Sequence, residues 1–263
     1  MTQGYVIQSI NTETVDYRLC ARVLAKSIRS VGDNRPICLL TDEFEECDSK
    51  LFDQIILIEP SEYGPYSDDW KSYEYSPYDE TFKLEADMII TRSLDSWWNS
   101  LKNRDLHIAT GCRDYKQQVS QSRFYRQIND DNLLPDLYNG ITYFKKSKLA
   151  KQFYKIVKQI FKNWHQVNLN LKQSSKLDYG DTDTVYAIAA NILGVENCTI
   201  PDSTIQFVHM KQRINNNLID DWTKELVWEL IGSDFRINTI SQLYPVHYHV
   251  KSLASELDQY YVR

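Results

Sequence analysis

The sequence predicts an α/β fold in which a mainly parallel, mixed central sheet is flanked by helices, with a Rossmann-like N-terminal half. Short apolar runs alternate with helical patterns over about the first 150 residues, and this order favours parallel strands covered by helices on both faces. The chain has 263 residues, 42% hydrophobic and 25% charged, which is enough for one large α/β domain. Because we find no internal repeat and no flexible linker, we expect a single domain over 1–263.

The N-terminal half contributes most of the predicted strands. The apolar runs that predict them are GYVIQSI, RPICLLTDE, DQIILIEP, KLEADMII, LHIAT and NGITYF. A helix is predicted after the first run, because Val15, Leu19 and Val23 begin an apolar series at helical spacing. We expect Thr12 or Thr14 to cap this helix. The aromatic-rich segment 61–80 has no regular pattern and predicts a long loop that leads into the fourth strand.

The C-terminal half predicts two amphipathic helices and two late strands. Apolar residues at helical spacing from Leu149 to Trp164 predict the first helix. A second helix is predicted to start near Asp181, with residues including Val185 and Ile192 on its buried side. The runs IQFVHM and YPVHYHV predict the strands.

Composition excludes several classes of protein. No apolar stretch approaches the ~18 residues that a membrane-spanning helix needs, and the N-terminus lacks the pattern of a signal peptide. The five cysteines are scattered and form no C-x-x-C pair, which favours buried thiols in a reducing compartment over a disulfide or zinc framework. These features predict a cytoplasmic protein.

Two acids interrupt the fourth apolar run, FKLEADMIITRS. Glu85 and Asp87 are two residues apart, and in a strand this spacing directs both side chains to one side. Two carboxylates at the end of a strand suit a divalent cation that also binds phosphate oxygens, and such a cation neutralises a departing diphosphate. The alternative is that the acids are merely solvated at the strand end.

The segment SPYDETFKLEADMIITRSLDSWW resembles the region around the D-x-D motif of nucleotide-sugar glycosyltransferases with the GT-A fold. The resemblance implies a metal-dependent glycosyltransferase that uses Mn²⁺ or Mg²⁺ and a nucleoside diphosphate sugar. Glu85 departs from the usual first Asp, so Asp87 is expected to be the main metal ligand. Glu85 would then bind the metal directly or through water, or contact the nucleotide ribose. Lys83 is a further candidate for donor binding.

Other short motifs resemble those of the same enzymes, in the expected order. SINTE resembles the turn that binds the nucleotide base, which implies Asn11 and Thr12 as base contacts. LYNGITYFKKS resembles the strand beside the donor sugar, with Asn139 and Gly140 as candidates, although a simple strand-entry turn is an alternative. YGDTDTVYAIAANIL resembles a helix start that carries catalytic acids. The catalytic candidates there are Asp181 and Asp183, and helix capping is the alternative.

Late histidines complete the candidate site. The resemblance implies a C-terminal His in the metal shell and a nearby Lys for the diphosphate. FVHMK offers His209 with Lys211. VHYHVK offers His247 with Lys251, and His249 lies between them. A structural role for either strand His is the alternative, and an imidazole beside carboxylates would admit Mn²⁺ as readily as Mg²⁺.

Charge distribution bears on the acceptor. The stretch 145–176 holds nine lysines and no acid, which leaves 21 basic residues against 36 acidic ones elsewhere. Lys151, Lys155, Lys158 and Lys162 recur at intervals that form one basic stripe on a helix, and a solvated helix face is the alternative to a binding surface. The chain also resembles GT-A-like proteins of tailed phages, which implies a hydroxymethylated DNA base as acceptor, with the tyrosines of 61–80 as a stacking surface.

The sequence is also compatible with other functions. The acceptor could instead be a glycan, a lipid or a protein, and the chain could be a non-catalytic polyanion-binding module. A nucleotidyltransferase is disfavoured, because no Gly-rich loop bearing Arg or Lys follows the first strand. In the glycosyltransferase hypothesis, residues 1–145 form the nucleotide-sugar-binding half and residues 146–263 the acceptor-side half.

Overall fold

A six-stranded mixed sheet forms the centre of the computed structural model, which describes residues 1–64, 66–123, 126–172, 177–200, 205–214 and 219–261. Pro65 of the segment 61–80 and Lys176 of the lysine-rich stretch lie outside the described residues.

Strands occur throughout the chain. They are β1 (Gln3–Ser9), β2 (Ile37–Thr41), β3 (Gln54–Leu57), β4 (Glu80–Glu85), β5 (Met88–Ile89), β6 (Leu106–Thr110), β7 (Leu137–Lys145), β8 (Val208–His209), β9 (Trp228–Ile231), β10 (Asp234–Ile237), β11 (Ile240–Ser241) and β12 (Val246–His247).

Helices separate most of these strands. They are α1 (Tyr17–Ser30), α2 (Lys71–Tyr75), α3 (Asp95–Leu101), α4 (Gln127–Asp131), α5 (Lys148–Lys162), α6 (Trp164–Asn170), α7 (Thr182–Leu193), α8 (Val195–Cys198) and α9 (Leu253–Tyr260). Short 3₁₀ turns lie at Glu46–Lys50 and Trp222–Lys224. In the described ranges, no helix is both long and apolar enough to cross a membrane.

The central sheet has the strand order β3-β2-β1-β4-β7-β6. The first four of these strands are parallel to one another, whereas β7 runs antiparallel to both of its neighbours, β4 and β6. Because β7 is reversed, its first residues lie at the same edge of the sheet as the last residues of β1 and β4. The predicted fold class, a mainly parallel mixed sheet flanked by helices, is confirmed.

Each face of the sheet buries a separate set of apolar side chains. On one face Tyr5 and Ile7 pack with the buried side of α1, and on the other Phe144 packs with α5 and α7. Val6, between Tyr5 and Ile7, points to the opposite side and joins a third cluster with Leu40. This alternation explains why the strands read as continuous apolar runs, since both faces are covered.

The predicted fourth strand is in fact two strands in different sheets. β4 ends at Glu85, and the chain turns through Ala86 and Asp87 before β5 starts. β5 pairs antiparallel with β12, which pairs in turn with β8 in a small second sheet. This sheet brings His247 within 2.9 Å of Asp87 and places His209, its register partner, beside His247.

Several local predictions were wrong in detail. The N-cap of α1 is Asp16, which accepts a hydrogen bond from the Leu19 amide at 2.9 Å, rather than Thr12 or Thr14. The helix predicted to run to Trp164 breaks at Asn163. Ile192 is 62% exposed near the end of α7 rather than buried.

The segment 61–80 is more ordered than a long loop. It contains α2, and Trp70 and Tyr78 are buried. Tyr73 stacks on Tyr154 of α5 with ring centroids 5.3 Å apart. Of the other aromatic residues in the segment, Tyr63 and Tyr73 are half-buried, and Tyr66 and Tyr75 are exposed.

Candidate active site

One cavity of about 500 Å³ opens at the edge of the sheet where β1 and β4 end and β7 begins. Ligands of open α/β sheets collect at this edge. The site residues predicted from the sequence all line it: Asn11, Thr12, Lys83, Glu85, Asp87, Asn139, Gly140, Asp181, Asp183, His209, Lys211, His247 and Lys251. The cavity therefore brings together residues that are up to 240 positions apart in the sequence.

The two acids of the E-x-D motif meet at His247. Its Nε2 lies 2.9 Å from Asp87 Oδ2, and its Nδ1 lies 3.3 Å from Glu85 Oε2. The imidazole is therefore held between the two carboxylates. The acids converge because the chain turns between them, and not because they alternate along one strand.

Lys251 and two further histidines, His249 and His209, lie around Asp87 and His247. Lys251 Nζ lies 2.7 Å from Asp87 Oδ2 and 3.2 Å from Nδ1 of His249. The His209 ring stacks on the His247 ring, with centroids 4.6 Å apart and an interplanar angle of 20°. His247 and His209 are buried, and His249 is half-buried.

Burial and neighbouring charges shift the pKa values of the groups in this cluster. Burial raises the pKa of the Glu85 carboxyl, and His247 and Lys83 offset part of that rise. Burial also acts on Asp87, but His247 and Lys251 outweigh it and hold the pKa of Asp87 well below its ordinary value. The pKa of His249 falls to about 3, through burial first and then through Lys251 and His247.

The donor set fits a divalent cation. The ligand atoms of Asp87, His247 and His249 lie within 4.8 Å of one another. A carboxylate oxygen and imidazole nitrogens are ligands that Mn²⁺ and its neighbours in the first transition row accept. Glu85 and His209, which were also predicted as ligands, are not members of this group.

The two acids at the start of α7 have different surroundings. Asp181 caps the helix, because its Oδ2 accepts hydrogen bonds from the amide and hydroxyl of Thr184, both at 3.0 Å. Asp183 Oδ1 accepts from the Asn139 amide at 2.7 Å, and its Oδ2 accepts from Arg126 at 2.9 Å. Burial raises the pKa of Asp183, and Arg126 opposes that rise.

Arg126 was not predicted from the sequence. Its side chain is 1% exposed, and its guanidinium lies 3.7 Å from the centroid of the Tyr138 ring. It comes from a segment with no motif, and only the fold places it beside Asp183.

Asp69, on the cavity floor, is a second residue that was not predicted from the sequence. Lys83 Nζ forms a buried ion pair with Asp69 at 2.6 Å and also donates to the Asn139 carbonyl at 3.2 Å. Asp69 accepts a further hydrogen bond from the Tyr186 hydroxyl. Gly140 lies next to this floor, where an added Cβ would be 3.2 Å from Glu85 Oε2. The glycine therefore leaves room for Glu85.

The turn after β1 and two tyrosine rings also line the cavity. Asn11 accepts from the Arg18 amide at 3.2 Å and donates to Glu43 at 2.9 Å, so the turn after β1 is fixed. The hydroxyls of Tyr17 and Tyr66 are 3.3 Å apart across the cavity rim. Tyr17 was not a predicted site residue, whereas Tyr66 is one of the tyrosines of 61–80 that were predicted as a stacking surface.

The sheet order, the flanking helices and the position of the cavity define a GT-A-type glycosyltransferase fold. No protein-family model matches the sequence, and no curated protein matches it in sequence. The fold does match solved structures of GT-A glycosyltransferases. At identities of 11–14% this similarity establishes the fold.

Three solved structures illustrate the match. The galactosyltransferase LgtC in complex with donor and acceptor sugar analogs is 14% identical, with a TM-score of 0.55 over 98% of this chain and 95% of that chain. An active-site mutant of LgtC is 12% identical, with a TM-score of 0.51 and the same coverage. The apo form of the glycosyltransferase GlyE of Streptococcus pneumoniae TIGR4 is 11% identical, with a TM-score of 0.50. The match to GlyE covers 98% of this chain but only 60% of GlyE.

Proposed function

We propose that this chain is a metal-dependent glycosyltransferase that moves a sugar from a nucleoside diphosphate sugar, a UDP-sugar, to an acceptor hydroxyl. The observation that carries the proposal is the cavity at the sheet edge, which collects every residue that the GT-A resemblance implies, in a fold shared with LgtC. We propose that residues 1–145 and 146–263 act together as one catalytic domain, since both line the cavity.

The donor is proposed to lie along the sheet edge. Asn11 and Thr12 would contact the base at the end of β1, and Lys211 and Lys251 would neutralise the diphosphate. The sugar would reach the floor formed by Asn139, Gly140 and Lys83. Placement along several fixed elements supplies the orientation that bimolecular transfer needs.

A divalent cation, Mn²⁺ or Mg²⁺, would be held at Asp87 and His247, with His209 and Glu85 beside it. When bound, such an ion neutralises the charge that builds up on a departing diphosphate. Asp87 suits this role, because its low pKa keeps it ionised.

Asp183 is proposed to stabilise the reacting sugar. Both of its carboxylate oxygens already accept hydrogen bonds, from Asn139 and Arg126. A carboxylate fixed in this way supplies a stationary negative charge, which suits an oxocarbenium-like sugar better than it suits proton removal from the acceptor. Asp181 would support Asp183 by fixing the start of α7.

Asp87→Asn tests the proposal. We expect the variant to stay folded and to lose metal-dependent release of UDP from a panel of UDP-sugars. Asp220→Asn is the matched control, because Asp220 is exposed and is not among the cavity residues. Equal release of UDP by the two variants would rule out the metal role of Asp87.

The acceptor is proposed to be a hydroxymethylated base in phage DNA. Lys151, Lys155 and Lys162 are exposed along α5. Lys158 contributes less, because its ammonium lies 3.6 Å from the Trp70 ring centroid and 3.8 Å from Glu74. Three exposed lysines in a row suit a phosphate backbone.

Binding to duplex DNA tests this acceptor. Changing Lys155 to Gln should weaken binding at low salt and lower the slope of log affinity against log salt by about 1. No binding at low salt would exclude DNA and leave glycan, lipid or protein acceptors. If the chain binds DNA but no sugar nucleotide, it is a non-catalytic polyanion-binding module instead.

A further inference from the structure

An ammonium group lies between two candidate metal ligands. Lys251 Nζ contacts Asp87 Oδ2 at 2.7 Å and His249 Nδ1 at 3.2 Å. Asp87 and His249 therefore favour a positive charge between them, and each directs one ligand atom, an oxygen and a nitrogen, to that position. An imidazole nitrogen that faces an ammonium group in this way presents a lone pair, which is the form that binds a metal ion.

The spacing of Asp87 and His247 matches that of neighbouring ligands on one ion. Two ligand atoms that are each about 2.1 Å from an ion, at a right angle, lie about 3.0 Å apart. Asp87 Oδ2 and His247 Nε2 are 2.9 Å apart. His249 presents its own ligand atom within 4.8 Å of both.

The backbone of His249 is unusual. Its φ of +62° lies in the left-handed region, which residues other than glycine seldom adopt and which is over-represented at functional sites. His249 follows directly after β12 and Tyr248. The strained conformation keeps its imidazole in the cavity beside His247, with ring centroids 5.8 Å apart.

Glu85 lies on the other edge of the His247 ring. It approaches Nδ1 at 3.3 Å, while Asp87 approaches Nε2. Histidines that bind metals commonly donate their second ring N–H to a carboxylate, which fixes the ring and its tautomer. Glu85 is the carboxylate on the Nδ1 side of this ring, at ion-pair distance.

We propose that Asp87, His247 and His249 hold the divalent cation, and that Glu85 orients His247 instead of binding the ion. This inference rests on the proposed function for the presence of a metal, but it moves the ligand set away from the E-x-D pair. One carboxylate and two imidazoles favour ions such as Mn²⁺ or Co²⁺ over Mg²⁺, because Mg²⁺ prefers oxygen ligands in a regular octahedron. The site should therefore bind Mg²⁺ more weakly than Mn²⁺.

Binding of the metal alone tests the ligand set. We would titrate MnCl₂ into the full chain without nucleotide by calorimetry, and count the coupled imidazole nitrogens by pulsed EPR of the bound Mn²⁺. The wild type should show two such nitrogens and a weaker affinity for MgCl₂.

Two matched variants separate the two ligand sets. His249→Gly removes the imidazole and suits the left-handed backbone. It should lower Mn²⁺ affinity by more than about tenfold, because even partners that merely orient a ligand cost 10–100-fold when removed, and one nitrogen coupling should be lost. Glu85→Gln should keep both nitrogen couplings and lose less affinity than His249→Gly, because Gln retains an oxygen that can face His247. Thermal unfolding of both variants without metal checks that they are folded.

The opposite pattern would overturn the inference. If His249→Gly binds Mn²⁺ like the wild type while Glu85→Gln loses it, the E-x-D pair holds the ion. Absence of Mn²⁺ binding by the folded wild type would also overturn it. Mn²⁺ binding of the expected kind without any transfer from UDP-sugars would refute the proposed function and leave the ligand set in place.

Discussion

The buried ion pair under the cavity allows the sharpest test of the structure. Lys83 and Asp69 lie 2.6 Å apart, and their side chains are 2% and 10% exposed. Lys83→Met keeps the length of the apolar stem but removes the ammonium group. The buried carboxylate of Asp69 then loses its ion pair and keeps the hydrogen bond from the Tyr186 hydroxyl.

The expected loss of stability is large. Removing one partner of a buried ion pair typically costs about 3–5 kcal/mol, because the other charge stays buried without compensation. For a chain of this size, 1 kcal/mol corresponds to a shift in melting temperature of about 2–4 °C. Lys83→Met should therefore melt roughly 6–20 °C below the wild type.

A double-mutant cycle identifies the cause. Asp69→Asn keeps an acceptor for the Tyr186 hydroxyl but removes the charge, so adding it to Lys83→Met should recover about 2 kcal/mol. Urea unfolding of the wild type, both single variants and the double variant gives the coupling energy. A loss below about 1 kcal/mol for Lys83→Met, with no coupling to Asp69, would show that the two charges are not buried together.

Three further predictions concern the site. Lys251→Met should bind Mn²⁺ more tightly in the absence of nucleotide, because a competing cation leaves Asp87, and should bind UDP more weakly; calorimetry measures both. Because the pKa of Asp87 is depressed in the folded chain, its stabilising effect is complete above its unfolded pKa of about 3.9 and is lost as the pH falls through the lower folded value. The difference in unfolding free energy between the wild type and Asp87→Asn should therefore shrink below about pH 4 in acid titrations followed by circular dichroism. Asp181→Ala should lower the free energy of unfolding, measured in urea, by about 1 kcal/mol through loss of the α7 N-cap. Asp181→Ser should lower it by only a few tenths of about 1 kcal/mol, because Ser also caps helices well.

The order of strands and helices was predictable because burial on both sheet faces leaves apolar runs in the sequence. The direction of β7 was not, because a buried run has the same pattern in parallel and antiparallel pairs. The break between β4 and β5 was not predictable either, because the apolar pattern does not change there. Met88 and Ile89 are as buried as Leu84, so the apolar run continues through a turn and into another sheet.

The cavity-lining residues that belong to a motif were predictable, and their partners were not. Asp183 stands in a recognisable helix start, but Arg126 reaches it from a segment with no pattern of its own. Asp69 precedes α2, where the sequence predicted an irregular loop, and only the fold places it under Lys83. Spacing in VHYHVK indicated His249 as a neighbour of the site, but its left-handed backbone depends on the end of β12.

The central claim is that the cavity binds a nucleoside diphosphate through a metal ion at Asp87. Calorimetric titration of UDP into the wild type and Asp87→Asn, each with and without Mn²⁺, tests it directly. The account predicts binding of UDP by the wild type that Mn²⁺ strengthens, and little response to Mn²⁺ in the variant. Failure of the folded wild type to bind UDP in the presence of Mn²⁺, or an equal response to Mn²⁺ in both proteins, would contradict it.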